Sequence, residues 1–186
     1  MSVTEPLAPE DWTTKMTLLR ALATGAAAGA AGTTALNATT YVDMAVRGRP
    51  SSSTPEATVE KGADTIGVTV PGDEETRSNR LQGLGPLSGI VTGVGVGAFA
   101  GALRAARLPG PIAALLVGGA AMAVSDGLMT ALGVTDPRRW TPASWASDVV
   151  PHLAFGGVTV AVLAATDTRG AGGARTHDRG IMSPLL

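Results

Sequence analysis

Four stretches of the chain carry almost no charge, and this pattern limits the possible folds more than any motif does. They cover residues 21–42, 81–103, 108–134 and 149–166. Asp126 is the only charged residue in the third stretch, and His152 is the only titratable residue in the fourth. Each stretch is close to the ~20 residues that cross the hydrocarbon core of a bilayer. The pattern therefore predicts an all-α membrane protein with four transmembrane helices.

The apolar residues of the chain are mostly small. Hydrophobic residues make up 45% of the sequence but aromatic residues only 3%, and there are 25 glycines. Such side chains build a poor core for a water-soluble protein, because large side chains bury most of the apolar area. They suit helices that approach one another closely in lipid. A soluble helical bundle rich in alanine and glycine remains the alternative fold.

Charge and cysteine content narrow the function classes. The formal net charge of -1 gives no overall field that would attract nucleic acid, so we expect no nucleic-acid partner. The chain has no cysteine, which excludes disulfides and thiol chemistry. The expected partner is the lipid bilayer, together with a second copy of the chain or a membrane-complex partner.

The polar segments divide the chain into three parts. Residues 1–16 form a polar leader, residues 17–168 a transmembrane domain, and residues 169–186 a tail that we expect to be disordered. The transmembrane helices are expected at about 17–46, 84–106, 111–132 and 146–166.

The long loop between the first two helices should contain short helices of its own. Thr54 is placed to cap a helix near 55–66, with Pro55 at its first position and Glu56 in its first turn. Asp73 is placed to cap a second short helix that leads into the second apolar stretch.

The first apolar stretch is the weakest of the four. It consists mainly of Ala, Thr and Gly, which favour membrane insertion only weakly, so we expect it to face other helices more than lipid. A secretory signal peptide is the competing interpretation. Against it, the acidic residues Glu5, Glu10 and Asp11 precede the stretch, where a signal peptide is basic.

Four spans would place both termini on one side of the membrane. The 14 Lys and Arg residues divide evenly between the two sides, so the positive-inside rule does not decide the orientation. We expect cytoplasmic termini, because the very short connection between helices 2 and 3 still carries Arg104 and Arg107.

Glycine recurs at every fourth position along the second apolar stretch, at Gly85, Gly89, Gly93, Gly97 and Gly101. This spacing follows one ridge of an α-helix and lets another helix approach closely. The expected mates are Gly25 and Gly29 on the first helix and Gly157 on the last. The stretch also contains a G-x-G-x-x-A nucleotide fingerprint, but no strand precedes it and no ribose-binding acid follows at the required distance. We therefore interpret it as a glycine zipper that packs helices.

Four titratable residues are predicted to meet at the membrane face where the first helix ends and the last begins. Asp126 lies within the third apolar stretch, and Asp43 lies at the end of the first helix. Asp148 and His152 are one turn apart at the start of the last helix. An ionisable residue within lipid is costly and is by default a functional hypothesis.

Two interpretations of this cluster stay open. Under a lid formed by loops 47–83 and 133–148, it would pass protons or hold a cation. Otherwise it is a network of interhelical hydrogen bonds. The sequence contains no nucleophile elbow, metalloprotease motif or phosphate-binding loop. We therefore expect no catalytic residue, no cofactor and no metal site.

A further pattern lies in MAVSDGLMTALGVTDPRRWTPASWASDVVPHLAFGG. A helix there ends in a G-V-T-x-P turn at 133–137, a loop with Trp140 and Trp145 follows, and Asp148 precedes His152. This order resembles the closing half of the YagU-like bacterial inner-membrane proteins. The segment GAAAGAAGTTALNATTYVDMAVRGRPSSSTPE resembles the opening helix and exit loop of small actinobacterial membrane proteins.

The resemblance implies an inner-membrane location and a link with acid or envelope stress. It supplies no catalytic residues, and the second helix departs from it by being much richer in glycine. With the packing pattern, it predicts a non-enzymatic membrane protein of structural or accessory type. The alternative is a small transporter, or a proton or cation conduit, that uses Asp126 and His152.

Overall fold

The computed structural model describes residues 9–103 and 108–178, with side chains in 13–103 and 108–167. Within these ranges the fold is all-α, which confirms the predicted class. The helices are α1 (Pro9–Arg47), α2 (Thr54–Thr65), α3 (Glu74–Leu103), α4 (Gly110–Ala131) and α5 (Pro142–Asp178), with a short 3-10 turn at Pro137–Arg139.

Three of the described helices are long and apolar enough to cross a membrane. They are Glu74–Leu103, Gly110–Ala131 and the Pro142–Asp167 part of α5. α1 has 39 residues but does not meet the same test of apolar composition. Its apolar stretch is built from Ala, Gly and Thr, which gain little free energy on entering lipid. The length and composition of three helices are thus those of membrane spans, whereas the composition of α1 does not decide whether it crosses the membrane.

α3 begins ten residues earlier than predicted, because Asp73 caps it directly. The Asp73 carboxylate accepts a hydrogen bond from the Thr76 backbone N–H at 2.9 Å, as an N-cap residue does. The second short helix expected after Asp73 is therefore the first part of α3, which starts at Glu74 rather than 84.

The outer helices are also longer than predicted. α1 begins at Pro9, so part of the expected leader is helical, and residues 1–8 lie outside the described part. α5 begins at Pro142 rather than 146, because the Thr141 hydroxyl caps it by accepting the Ser144 N–H at 3.1 Å. It continues to Asp178, through 169–178 of the segment expected to be disordered, where no proline interrupts its hydrogen bonds.

The helices form a bundle in which α1 packs against α3 and α5, α5 packs against α1 and α4, and α3 makes a smaller contact with α4. Glycines form the contact between α1 and α3. A Cβ atom on Gly29 would lie 2.9 Å from Gly97 Cα, and one on Gly25 would lie 2.9 Å from Gly101 Cα. Since backbone atoms cannot move aside as a side chain can, glycine is what permits this helix spacing.

Some of the expected packing glycines lie elsewhere. Gly85 faces α2, where a Cβ atom would be 3.0 Å from the Glu56 backbone nitrogen. A Cβ atom on Gly89 or Gly157 would meet open space within the described part of the chain. The expected contact of Gly157 with α3 is therefore wrong. The neighbouring Gly156, which points about 100° away on the helix, lies against Gly118 of α4.

Phe155 is the largest fully buried side chain among the described residues, and its neighbours are small. Phe155 of α5 is 1% exposed and occupies the space beside Gly32 of α1 and Gly93 of α3. Large apolar side chains such as Val91 and Leu115 lie instead on the outer surface. A small-residue interior with large apolar residues outside is the distribution expected for helices in lipid.

Candidate functional site

A polar site lies between α4 and α5. Asp126 of α4 is 8% exposed, and its carboxyl group lies within hydrogen-bonding reach of Asp148 on α5. His152 lies one turn after Asp148, with its Nδ1 3.5 Å from an Asp148 carboxylate oxygen. The Ser125 hydroxyl lies 3.5 Å from His152 Nε2. We refer to Ser125, Asp126, Asp148 and His152 as the α4–α5 polar site.

Close packing of two helices brings these four residues together. A Cβ atom on Gly118 of α4 would lie 2.5 Å from the His152 carbonyl oxygen, and one on Gly156 of α5 would lie 2.7 Å from the Gly118 nitrogen. Neither position accommodates a side chain without moving backbone. The two glycines therefore set the helix separation at which Asp126 meets Asp148.

The hydrogen bonds of His152 assign its tautomer. Its Nδ1 lies 2.9 Å from the backbone carbonyl oxygen of Asp148, which can only accept a hydrogen bond. Nδ1 is therefore the donor of the neutral ring, and Nε2 is the acceptor. The Ser125 hydroxyl beside Nε2 is also within 3.1 Å of two carbonyl oxygens of its own helix, those of Ala121 and Met122.

Two oxygens of the site have no hydrogen-bond donor among the described residues. They are Asp126 Oδ1 and Asp148 Oδ2, both buried. Two ionised carboxylates cannot donate to each other, because each is only an acceptor. Buried polar atoms are normally paired, so this arrangement is chemically incomplete as two carboxylates.

Asp43 belongs to a neighbouring group and not to the α4–α5 polar site. Its carboxylate accepts from Arg49 Nε at 2.6 Å, from Arg47 at 3.3 Å and from the Ser147 hydroxyl at 3.1 Å. The hydrogen bond from Arg49 is the main cause that lowers the pKa of Asp43. The predicted four-residue cluster is thus two adjacent groups, joined where Ser147 precedes Asp148.

The segments predicted to form a lid lie at the same end of the bundle. α2 packs against α3 at Gly85, and a Cβ atom on Gly62 would be 3.9 Å from the Leu132 side chain after α4. Glu60 of α2 forms an ion pair with Arg77 of α3, which fixes α2 there. α2 therefore bridges the start of α3 and the end of α4.

The connection from α4 to α5 is held by its own side chains. Trp140 Nε1 donates to the Thr135 hydroxyl at 2.8 Å, and the Trp140 and Trp145 rings meet edge to face with centroids 5.0 Å apart. Tryptophan at this position is typical of a membrane–water interface. The described ranges contain no group of three or more His, Asp or Glu residues placed to hold a metal ion.

Sequence reasoning did not identify several residues that position the site. Gly118 and Gly156 each stand beside a second glycine, and periodicity alone does not say which of two adjacent residues faces a neighbour. Arg49 and Ser147, the partners of Asp43, come from a loop and from another helix, and sequence spacing carries no signal of that contact.

Comparisons with protein-family models, with curated proteins and with solved structures gave no match.

Proposed function

We propose that this protein is a four-helix integral membrane protein of structural or accessory type, with α1 as its fourth span. The supporting observation is the contact of Gly25 and Gly29 with Gly97 and Gly101, in the apolar part of α3. If α3 crosses the bilayer, the part of α1 that touches it there has to lie at the same depth. α1 then enters the membrane by packing on its neighbours, which offsets its weak apolar character.

Four threonine side chains of α1 are compatible with this depth. The hydroxyls of Thr24, Thr33, Thr34 and Thr39 each donate to the carbonyl four residues earlier, at 2.8–3.0 Å. A hydroxyl bonded within its own helix presents no unpaired donor to lipid.

Single introduced cysteines test the number of spans, because the chain has no cysteine of its own. The variants Thr13→Cys, Ser52→Cys and Arg139→Cys would be labelled in sealed vesicles with a maleimide that does not cross membranes. Four spans predict that positions 52 and 139 label from one side and position 13 from the other. Labelling of 13 and 52 from the same side would remove α1 as a span. Release of the protein by carbonate would remove the membrane location.

We further propose the inner membrane as the location, with both termini in the cytoplasm. The resemblance to YagU-like proteins supports this location and adds a link with acid or envelope stress. Cells lacking the gene should survive acid challenge less well and recover with the wild-type protein. A Gly97→Leu variant should not restore survival if helix packing underlies the role. Equal survival of cells with and without the gene would remove the link.

The second candidate function is a small proton or cation conduit. The observation that favours it is the buried Asp126 carboxyl within an apolar helix, in contact with a second carboxyl. In reconstituted vesicles Asp126→Asn should abolish flux, whereas Asp43→Asn, outside the α4–α5 polar site, should retain it. Wild-type vesicles without flux, or full flux through Asp126→Asn, would exclude this function.

A further inference from the structure

Two features of the α4–α5 polar site indicate that it binds a ligand: buried carboxyl oxygens without a described donor, and two carboxyl groups close together. Asp126 is more than nine-tenths buried, and its Oδ1 has no donor among the described residues. Asp148, whose Oδ2 is also buried without a described donor, lies within hydrogen-bonding reach of it. Two negative charges at this separation repel each other strongly where water is scarce.

One proton resolves both difficulties. A proton taken from water forms an O–H bond on one carboxyl, halves the charge of the pair and supplies the donor that the other carboxylate lacks. We infer that Asp126 and Asp148 form a single proton-binding site, in which one proton is shared between α4 and α5. Release of the proton to water breaks that O–H bond and leaves two carboxylates.

His152 is placed to respond to this proton. Its Nδ1–H is held by the Asp148 carbonyl at 2.9 Å and lies 3.5 Å from the Asp148 carboxylate. Because Nε2 keeps its lone pair in this tautomer, the ring can take up a second proton at that atom. The ring therefore lies close enough to the carboxyl pair for its NMR signals to report the charge of that pair.

Most charged side chains on the helices and loops around the α4–α5 polar site are paired with a residue of opposite charge. They are Asp43 and Arg47 on α1, Arg49 after it, Glu56 and Glu60 on α2, and Arg77 on α3. Asp43 is paired with two arginines and Glu60 with Arg77. Glu56 has a buried oxygen without a described donor, and it lies against Gly85 of α3. These arginines are already paired with other carboxylates, so the charge of the Asp126–Asp148 pair has to be reduced within its own site.

The donor set suits a proton better than a hard cation. Calcium takes six to eight oxygen ligands and magnesium demands an octahedron. The α4–α5 polar site offers two carboxyl groups and the Ser125 hydroxyl, which is within hydrogen-bonding distance of carbonyls of its own helix. A proton needs only the two facing oxygens.

A double-mutant cycle tests the shared proton. Carboxyl protonation would be followed by infrared titration of the purified protein in lipid nanodiscs, for the wild type, D126N, D148N and the double variant. A shared proton predicts that D126N changes the titration differently in the wild-type and D148N backgrounds. The same D126N change in both backgrounds would overturn the inference. In the matched cycles, D126N is combined with D43N or with E56Q, and its effect on the titration should be the same with and without the second substitution. If these cycles showed as much coupling as the D126N–D148N cycle, the proton would not be confined to the Asp126–Asp148 pair.

A measurement on the unaltered site keeps the inference testable if an Asn variant fails to fold. In a His177→Gln background, the His152 ring nitrogens would be followed by NMR across the pH range. A shared proton predicts that the ring signals change at the pH where the infrared titration shows the carboxyl pair losing its proton, and no change there overturns it. The inference rests on the proposed membrane location, but carbonate extraction tests that location separately, and neither readout requires transport.

Discussion

Gly29 of α1 lies against Gly97 of α3 so closely that a Cβ atom on Gly29 would be 2.9 Å from the Gly97 Cα. The two helices meet backbone to backbone, at a distance that only glycine allows. At this contact a helix with a weakly apolar composition is joined to one that is apolar enough to cross a membrane. The first prediction follows from this contact.

Gly97→Ala should push α1 and α3 apart, because the new methyl group overlaps backbone atoms that cannot rotate away. We expect it to lower the free energy of unfolding by roughly 1–3 kcal/mol, the usual cost of overpacking. Unfolding by SDS in mixed micelles measures the change. Gly95→Ala is the matched control, since a Cβ atom there meets open space. The control should alter stability by no more than about 1 kcal/mol, in the favourable direction, and equal losses in both variants would contradict a specific contact.

Gly118→Ala should move α5 away from α4 and displace His152, because the added Cβ would lie 2.5 Å from the His152 carbonyl oxygen. The NMR signal of the His152 ring should shift, together with a loss of stability. Gly119→Ala, one residue further on and facing open space, should leave that signal in place. If both variants gave the wild-type signal, close packing at Gly118 would not be what positions the ring.

The start of α3 should depend on pH through Asp73. Hydrogen bonds from the Thr76 hydroxyl and backbone N–H hold the pKa of Asp73 below its usual value. A lowered folded-state pKa contributes stability above the unfolded value, about 3.9, and this contribution is lost as the pH falls through the folded-state pKa. The Thr76 amide resonance should therefore titrate at acidic pH in the wild type.

Two variants separate the charge of Asp73 from its capping role. Asp73→Asn should abolish the titration of the Thr76 amide while keeping α3 intact, because asparagine also caps helices. Asp73→Ala should destabilise the first turn at neutral pH, and this difference from the wild type should shrink at low pH to the capping contribution of a neutral side chain. A Thr76 titration that persists in Asp73→Asn would falsify the assignment to Asp73.

The sequence predicts helix content and apolar stretches well, because both depend on local composition. The four-residue glycine spacing likewise put Gly93, Gly97 and Gly101 on a common helix face, and all three lie next to α1. The same rule failed for Gly157, because spacing within one helix does not say which helix is its neighbour: the adjacent Gly156 makes the contact, and it meets α4 and not α3. The sequence does not predict the start of α3, because the capping pattern at Asp73 fits a separate short helix as well as the first turn of a long one.

The polar site was less predictable, because it depends on which helices are neighbours. Sequence spacing placed Asp148 and His152 on one helical face, and the structure has their side chains in contact. Sequence spacing does not show that Asp43 and Asp126 belong to different groups, since it predicts both residues at the same membrane face. The separation comes from Arg49 and Ser147, whose contacts with Asp43 join a loop and a distant helix.

The two phenylalanines of the chain give a matched test of the interior. Phe155 is 1% exposed between Gly32 and Gly93, whereas Phe99 is 63% exposed on α3. Lipid tails are as apolar as a protein interior, so Phe155→Ala should lose packing more than transfer free energy. We expect a loss of about 2–4 kcal/mol from the cavity that is left. Phe99→Ala should stay within about 0.5 kcal/mol, as surface substitutions do. A larger loss from Phe99→Ala in micelles would mean that the α3 surface around residue 99 is covered by another chain.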